Sequence, residues 1–174
     1  QMVALQSVGV QGDFRSYKYL SVLNGNGFDI NWEAAHQIAR MVPNNINCVN
    51  RMAYILNKNK DITHGINVYP MYINKPDLDL LRDIDDLVTH TLKNKMISQT
   101  FAVLLPIGVT RKKSIAIRAI VTNDFMTGRP AMVGKEIEPA EMAHIVAEIE
   151  SNYPEIDLVL YDVTGKPPAT VEWQ

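Results

Sequence analysis

Two charged residues near the end of the chain, Lys166 and Glu172, have the types and spacing best suited to binding a ligand. A lysine ammonium is a point charge with three donors, which suits a phosphate, whereas an ionised glutamate only accepts hydrogen bonds. Between them, Pro167 and Pro168 fix φ twice and disfavour helix, so Lys166 is expected on a stiff, extended stem. The segment 166–174 therefore predicts a site for a phosphorylated, polar ligand. The alternative, an ordinary frayed chain end, is favoured by composition alone.

The sequence contains none of the familiar signatures of a self-sufficient catalytic centre. It has no nucleophile elbow, Walker loop or dinucleotide-binding glycine fingerprint. No histidine pairs with a second ligand type at metal spacing, and Cys48 stands alone. We therefore predict no catalytic residue and no metal site in this chain. Structural or surface roles are predicted for all four histidines, which are His36, His64, His90 and His144.

The composition is typical of an ordinary globular protein. Of the 174 residues, 47% are hydrophobic and 21% charged, and 17 basic against 19 acidic residues give a net charge of −2. This balance does not indicate a nucleic-acid or membrane partner, and no run of about eighteen apolar residues is present. The single Cys48 cannot form an internal disulfide and fits a reducing compartment. Because the chain opens at Gln1 directly on a strand pattern, we expect it to be part of a larger protein.

The predicted elements repeat once along the chain. Alternating and helical apolar spacings predict strand, strand, helix and strand in each half. Val8-Gly9-Val10 matches Ile107-Gly108-Val109, 99 residues later, and the last strand of each half carries a tyrosine, Tyr54 or Tyr161. Two such units predict an α+β fold of two tandem β-β-α-β subdomains. Since adjacent strands are joined too tightly for crossover helices, we expect mainly antiparallel sheets with the helices on one face.

Start and stop signals place several elements more closely. Asn31 is predicted to cap a helix from Trp32 to Met41, which Pro43 ends. A long helix is predicted from Pro76 to about Lys93, because Leu81, Ile84, Val88 and Leu92 follow helical spacing. Val68 to Ile73 is apolar and is predicted to be a strand.

Arginines in or beside predicted strands indicate a surface for self-association. Arginine is enriched at interfaces and makes bidentate pairs, and nearby aromatic and methionine side chains would supply an apolar centre. The alternative places the aromatic side chains in the core and the arginines at its rim. The residues concerned are Arg15, Arg51, Arg118 and Arg129, with Tyr17, Tyr19, Phe125 and Met126.

One possible function for two small α+β units is a stand-alone RNA-binding or assembly module of the KH-like kind. The densest basic run, Arg111-Lys112-Lys113, lacks the interleaved aromatics of a base-stacking surface and is typical of a solvated hairpin tip. A KH-like unit also needs a Gly-x-x-Gly clamp between two helices. Gly25-Asn26-Gly27 instead lies between a predicted strand and a helix, which does not fit that motif.

Four motifs distributed over nearly the whole chain resemble the C-terminal region of glutamine-hydrolysing GMP synthase. They are Ser7-Val8-Gly9-Val10-Gln11-Gly12-Asp13, Val49-Asn50-Arg51, Asp124-Phe125-Met126-Thr127-Gly128-Arg129-Pro130, and Tyr161-Asp162-Val163-Thr164-Gly165 with the tail that follows it. Their spacing is similar to the longer, two-subdomain form of that region. The resemblance implies a first dimerisation subdomain over residues 1–74 and a connecting helix over 75–97. A second dimerisation subdomain over 98–174 would end in a nucleotide-contacting tail.

The resemblance also implies a substrate and the residues that contact it. Lys166 and Glu172 match the family's tail motif that contacts xanthosine monophosphate, and Gln11 and Gln99 match two further nucleotide-contacting positions. A glutamine amide can donate to a phosphate or accept from a hydroxyl, so these assignments are chemically reasonable. The whole enzyme would convert xanthosine monophosphate to GMP. ATP would adenylylate the C2 oxygen of the base, and ammonia from glutamine would then displace AMP.

The parts that would carry this chemistry lie outside the 174 residues. The sequence has neither the Cys-His-Glu set that hydrolyses glutamine nor the Ser-Gly-Gly-x-Asp-Ser loop with which the family binds ATP. The resemblance therefore implies a fragment that is inactive alone and is joined to N-terminal glutaminase and ATP-pyrophosphatase domains, the latter holding ATP and Mg²⁺. The expected partners are xanthosine monophosphate and a second copy in a cytoplasmic homodimer, with no membrane and no nucleic acid.

Overall fold

In the computed structural model, three helices pack against a large mixed β-sheet. The structure describes residues 1–11, 14–93 and 96–173, and of Gln11 it describes the backbone alone. Within those residues the strands are β1 (Met2–Gln11), β2 (Phe14–Leu23), β3 (Val49–Ile55), β4 (Asn67–Val68), β5 (Gln99–Leu105), β6 (Ile107–Gly108), β7 (Lys113–Val121), β8 (Arg129–Pro130) and β9 (Ile156–Asp162). The helices are α1 (Trp32–Asn45), α2 (Lys75–Thr91) and α3 (Pro139–Asn152).

Both halves of the chain contribute strands to one seven-stranded sheet, in the order β1-β2-β3-β9-β7-β5, with β8 paired to β7. In the first half, β1 and β2 pair antiparallel and β2 and β3 pair parallel; β5, β7 and β9 repeat this pattern in the second half. The halves meet where β3 and β9 pair antiparallel, with Tyr54 opposite Tyr161. The α+β class and the repeated β-β-α-β order are thus confirmed. The division into subdomains at residues 74 and 97 stays a prediction.

Local capping explains where the three helices begin. The side-chain oxygen of Asn31 accepts from the Ala34 amide at 3.0 Å, as predicted, and Asn74 caps α2 in the same way. A capping box between Glu138 and Glu141 opens α3. Within the described ranges, no helix is both long and apolar enough to cross a membrane.

All three helices cover the same side of the sheet, which we call the helix face. Ile84 of α2 and Ile145 of α3 are 0% exposed in its apolar core. Trp32, at the start of α1, lies edge-on to Tyr54 and Tyr161 with ring centroids 5.4 and 6.0 Å apart. One aromatic side chain therefore packs against β3 and β9, the two strands at which the halves meet.

The opposite side of the sheet, which we call the tail face, is covered by β1, the segment 57–73 and the C-terminal residues. Leu20, Ile55 and Leu160 are 0% exposed in its core, and Trp173 is 4% exposed. Because successive side chains of a strand point to opposite sides, each central strand serves both cores.

Two prolines mark differences from the predicted elements. Pro43 lies inside α1, which continues to Asn45; in the last turn a proline removes only one helical hydrogen bond. The strand predicted over Val68–Ile73 is wrong except at its first residue, since β4 ends at Val68. Pro70 has no N–H to donate to a neighbouring strand, and the chain there leads into the N-cap of α2 instead.

Candidate functional site

The residues after β9, numbers 163–173, form an irregular segment, which we call the tail; it turns at Pro167 and Pro168 and bends again at Val171 and Glu172. Two β-bridges attach it to the rest of the molecule, one between Lys166 and Gly128 and one between Ala169 and Gly9. The peptide bonds before the two tail prolines are both cis. The tail is thus attached on both sides of its prolines.

Gly9, in the first of the four motifs, marks a close approach of the tail to β1. A Cβ at this position would lie 2.8 Å from the carbonyl oxygen of Pro168 and 2.7 Å from the side-chain nitrogen of Asn50. The amide of Val10 donates to the same Pro168 carbonyl at 2.8 Å. Glycine is needed here because the backbone of the tail occupies the place of a side chain.

Two buried arginines and the aspartate between them form what we call the clamp. Arg51, Arg118 and Asp162 are each 0% exposed. One carboxylate oxygen of Asp162 lies 2.7 Å from Nη1 of Arg51 and 2.9 Å from Nη1 of Arg118. A single buried carboxylate thus compensates two guanidinium groups, which must find further acceptors for their remaining N–H groups.

Those acceptors are mostly carbonyl oxygens of the tail. Arg118 donates to the oxygens of Thr164, Thr170 and Val171 at 3.0, 2.9 and 2.9 Å. Arg51 donates to the carbonyl oxygens of Glu172 and Thr170 at 2.9 and 3.3 Å. The clamp therefore holds the tail through its main chain.

Asp162 and Arg118 of the clamp are ionised at neutral pH. Burial raises the pKa of the Asp162 carboxyl, but Arg118 and Arg51 outweigh this and hold that pKa below its ordinary value. Burial lowers the pKa of Arg118 to about 10, against the opposing attraction of Asp162. Both groups therefore keep their charges at neutral pH.

Lys166 is partly buried and lies between two clefts. Its ammonium donates to the carbonyl oxygen of Phe125 at 2.5 Å. One cleft, of about 380 Å³, is lined by Val10, Met126 and the tail residues Pro167 and Ala169. The other, of about 510 Å³, is lined by residues of the loop 121–129. Among the described residues, no carboxylate forms an ion pair with Lys166. Its charge is therefore available to an anionic ligand.

The loop that receives Lys166 is shaped by Asp124. One oxygen of this carboxylate accepts from the amides of Met126 and Thr127, each at 2.9 Å, and the bonds to these amides, that of Thr127 first, lower the pKa of Asp124. Phe125, between Asp124 and Met126, takes a positive φ of 57°. The loop consequently exposes Phe125 by 57% and Met126 by 76% beside the clefts of Lys166.

Glu172 lies in a third cleft, which Lys166 does not line. This cleft, of about 590 Å³, lies between the start of α2 and β5, and its rim includes Tyr72 and Ile73, which are 82% and 90% exposed. The Glu172 side chain is exposed, while the adjacent Trp173 is buried with its ring 4.7 Å from the guanidinium carbon of Arg51. Lys166 and Glu172 thus lie on the same tail but, in the described part of the chain, line different clefts.

The two predicted nucleotide-contacting glutamines, Gln11 and Gln99, are neighbours of residues that line the clefts of Lys166. Gln11 follows such a residue in sequence, and Gln99 lies opposite the residue that precedes the others on a paired strand. Gln99 is exposed at the start of β5, opposite Ile120, and the residues that follow Ile120 line the larger of those two clefts. Val10 lines the smaller one, and Gln11 is the next residue. The Gln11 side chain and the two residues after it lie outside the described part of the chain.

The interpretation of four arginines as interface residues is wrong for Arg51 and Arg118, which are buried within a single chain. Arg129 makes a bidentate ion pair with Glu136 at 3.0 and 2.6 Å, and Arg15 is exposed on β2. Our sequence reasoning also missed the role of Asp162. The available signal was a carboxylate directly after the apolar run 158–161, because a charge at a buried strand position must be paired.

The histidines do not assemble into a metal site, and the described residues contain no group of three or more candidate ligands. The side chain of His36 is buried, with 9% of the residue exposed, and its Nε2 has no hydrogen-bond partner among the described residues. Burial first, then the positive charges of Arg40 and Arg129, lower the pKa of His36 to about 4. The others are exposed: His64, His90 and His144.

Comparison with known proteins gives one consistent result. A model of the GMP synthase C-terminal domain matches residues 86–173, just over half of the chain. A GMP synthase [glutamine-hydrolyzing] of Dictyostelium discoideum is 36% identical over 190 residues, with 99% of this chain and 26% of that protein covered. A probable GMP synthase of Caenorhabditis elegans is 30% identical over 200 residues with the same coverage. A GMP synthase of Neisseria meningitidis is 36% identical over 120 residues, covering 59% of this chain and 22% of that protein.

The chain thus spans about a quarter of the length of the curated relatives that it matches. The matched segment includes the end of α2, the strands of the second half of the sheet with the clamp residues Arg118 and Asp162, and the whole tail. The chain belongs to the GMP synthase C-terminal domain family.

Proposed function

We propose that this chain is the dimerising and nucleotide-contacting C-terminal region of a cytoplasmic GMP synthase. The whole enzyme would aminate xanthosine monophosphate to GMP, using ATP and ammonia released from glutamine. The glutaminase and ATP-pyrophosphatase domains, with bound ATP and Mg²⁺, would lie in the part of the protein beyond these residues. The fragment alone would then neither hydrolyse ATP nor make GMP.

The observation that carries the proposal is the position of Lys166. Its ammonium lies between two clefts on a fixed tail, and no carboxylate among the described residues pairs with it. An ammonium held by one neutral carbonyl oxygen retains two donors and its full charge for a phosphate. In this proposal Lys166 binds the 5′-phosphate of xanthosine monophosphate, a contact worth roughly 1.5–3 kcal/mol when partly desolvated.

The other residues of the proposed site have supporting roles. Gln99, near the larger cleft of Lys166, and Gln11, next in sequence to the smaller one, would donate to or accept from the nucleotide. Glu172 would accept hydrogen bonds from donors on the nucleotide at its separate cleft. The phosphate is remote from the reacting C2 oxygen, so its binding energy can serve orientation as well as affinity.

The proposed dimer would use exposed aromatic and methionine side chains of β2 and of the loop 121–129. Phe14, Tyr17, Phe125 and Met126 are 80%, 64%, 57% and 76% exposed. A homodimer of this kind would be a closed twofold with a self-complementary patch. Light scattering should then give twice the 19.6 kDa chain mass. A monomer at all concentrations, in both the fragment and the full-length enzyme, would contradict the dimer.

The nucleotide site is tested by Lys166→Ala in the full-length enzyme. We expect kcat/KM for xanthosine monophosphate to fall by roughly ten- to a hundredfold, because one charge-assisted contact is lost. The KM for ATP and the glutaminase activity should change little. Lys166→Arg should recover only part of the loss, since the guanidinium fork has a different reach. Lys58→Ala, an exposed lysine that lines neither cleft of Lys166, is the matched control. Unchanged kinetics in Lys166→Ala would refute the site.

No observation favours the RNA-binding alternative. The Gly25–Gly27 loop connects β2 to α1, whereas a KH-like clamp connects two helices.

A further inference from the structure

We propose that Arg51, Arg118 and Asp162 are positioning residues for the nucleotide site, because they fix the main chain of the tail and leave its side chains free for ligand. The inference rests on the proposed role of Lys166. It adds a function for three buried charges, of which Arg51 contacts two tail side chains, the Thr170 hydroxyl and the Trp173 ring.

The pattern of hydrogen bonds supports this role. Arg118 makes three bonds to the tail, all to carbonyl oxygens, and the Arg51 bond to Glu172 also goes to its carbonyl. Neither arginine bonds to the ammonium of Lys166 or the carboxylate of Glu172. Anchoring the tail therefore uses none of the groups that would meet a nucleotide.

Burying the charges of the clamp costs free energy. Two arginines share one aspartate in a site with no water access, and such a buried set is weak as a source of net stability. An apolar cluster of the same volume would pack as well, but it could not donate hydrogen bonds to the main-chain oxygens of an irregular segment. A guanidinium presents five donors in a rigid fork, which suits several carbonyl oxygens converging from one irregular segment.

The clamp holds the tail on both sides of Lys166. Its contacts run from Thr164 to Glu172 and so enclose Lys166 from both sides in sequence. The bridge between Lys166 and Gly128 holds the middle of the same segment. A tail released from the clamp would hold Lys166 in its cleft for only a fraction of the time. The apparent dissociation constant of a ligand rises in inverse proportion to that fraction.

The test is Arg118→Lys in the full-length enzyme. A lysine keeps a positive charge near Asp162 but cannot reproduce the fork to three carbonyl oxygens. We expect KM for xanthosine monophosphate to rise about tenfold, while kcat at saturating nucleotide stays within about twofold of wild type, since bound ligand reorders the tail. The KM for ATP and the glutaminase activity should be unchanged. Hydrogen exchange in the peptide 163–173 should become faster without nucleotide and recover when it is added.

A double-mutant cycle separates positioning from general stability. Combined with Lys166→Ala, the Arg118→Lys change should add little further loss, because a misplaced tail matters only if Lys166 is present to be misplaced. Additive losses, or an unchanged KM together with faster exchange in the tail, would overturn the positioning role. Normal nucleotide kinetics in Lys166→Ala alone would instead overturn the proposed site, so the two failures are distinguishable.

Thr170→Val is the second variant in case Arg118→Lys does not fold. It removes a hydroxyl that accepts from Arg51 at 3.3 Å and donates to the Val8 carbonyl at 3.2 Å, at a position near the surface of the molecule. We expect the same pattern with a smaller rise in KM. A loss confined to kcat would contradict the proposal.

Discussion

The two faces of the sheet are both well buried, but they are closed by different means. On the helix face, three capped helices supply apolar side chains, and their backbone hydrogen bonds are made within each helix. On the tail face, an irregular segment closes the core, and its carbonyl oxygens need donors from elsewhere. Arg51 and Arg118 supply those donors, and Asp162 compensates their charge. The comparison teaches that charge is buried in this protein where the covering chain cannot satisfy its own backbone.

The substitution Asp162→Asn tests this difference between the two faces most directly. The substitution keeps the shape of the side chain but leaves two buried guanidinium groups without a counter-ion. We expect the free energy of unfolding to fall by roughly 3–5 kcal/mol. Urea unfolding of the 1–174 protein would measure it. Asp79→Asn, in an exposed ion pair with Lys75 and Arg82 on α2, is the control and should be close to neutral. A loss below about 1 kcal/mol for Asp162→Asn would contradict the ionic account of the tail face.

His36, on α1, tests the helix face, because it is a buried polar side chain with no ion-pair partner among the described residues. In the unfolded chain an imidazole titrates near pH 6.5, whereas in the folded protein the pKa is about 4. Between these two values the unfolded state binds a proton that the folded state does not bind. The free energy of unfolding therefore decreases as the pH falls from about 6.5 to about 4. Between pH 7 and pH 5 the loss should be about 2 kcal/mol.

Replacing this histidine should remove that dependence. His36→Leu should have a free energy of unfolding almost independent of pH between 7 and 5, whereas His144→Leu, at an exposed position of α3, should keep the wild-type slope. This window lies above the pH at which Glu136 changes the stability, because its carboxyl pKa is 4.5 in the unfolded chain and its ion pair with Arg129 lowers that pKa to about 2 in the folded protein. Denaturant unfolding at the two pH values is sufficient. A wild-type slope in His36→Leu would show that another group carries the acid sensitivity.

The smallest expected effect comes from an apolar truncation on the helix face. Ile145→Val removes one methylene from a side chain that is 0% exposed. The free energy of unfolding should fall by roughly 0.5–1.5 kcal/mol, without any change with pH between 5 and 7. The same urea series measures it. A loss as large as that of Asp162→Asn would mean that the two faces do not differ in the way described.

Much of the fold follows from local patterns in the sequence. Period-two and period-3.6 spacing place most of the strands and the three helices, and Asn31 caps α1 as its residue type predicts. The internal repeat predicts two units of equal order, and the sheet has them. The strand predicted after Val68 failed because hydropathy does not register the missing N–H of Pro70. Pairing of β3 with β9 was not predictable, since it joins residues more than a hundred positions apart.

The candidate site divides in the same way. The sequence alone determined the identity of the tail, the charges of Lys166 and Glu172 and the stiffness of the prolines between them, because these are properties of residue types and short spacings. The tertiary structure alone decided that Lys166 and Glu172 lie in separate clefts and that Arg51 and Arg118 face inward. The physical reason is that a buried charge takes its role from partners brought together by the whole sheet. Arg51 and Asp162 are 111 positions apart in sequence and 2.7 Å apart in space.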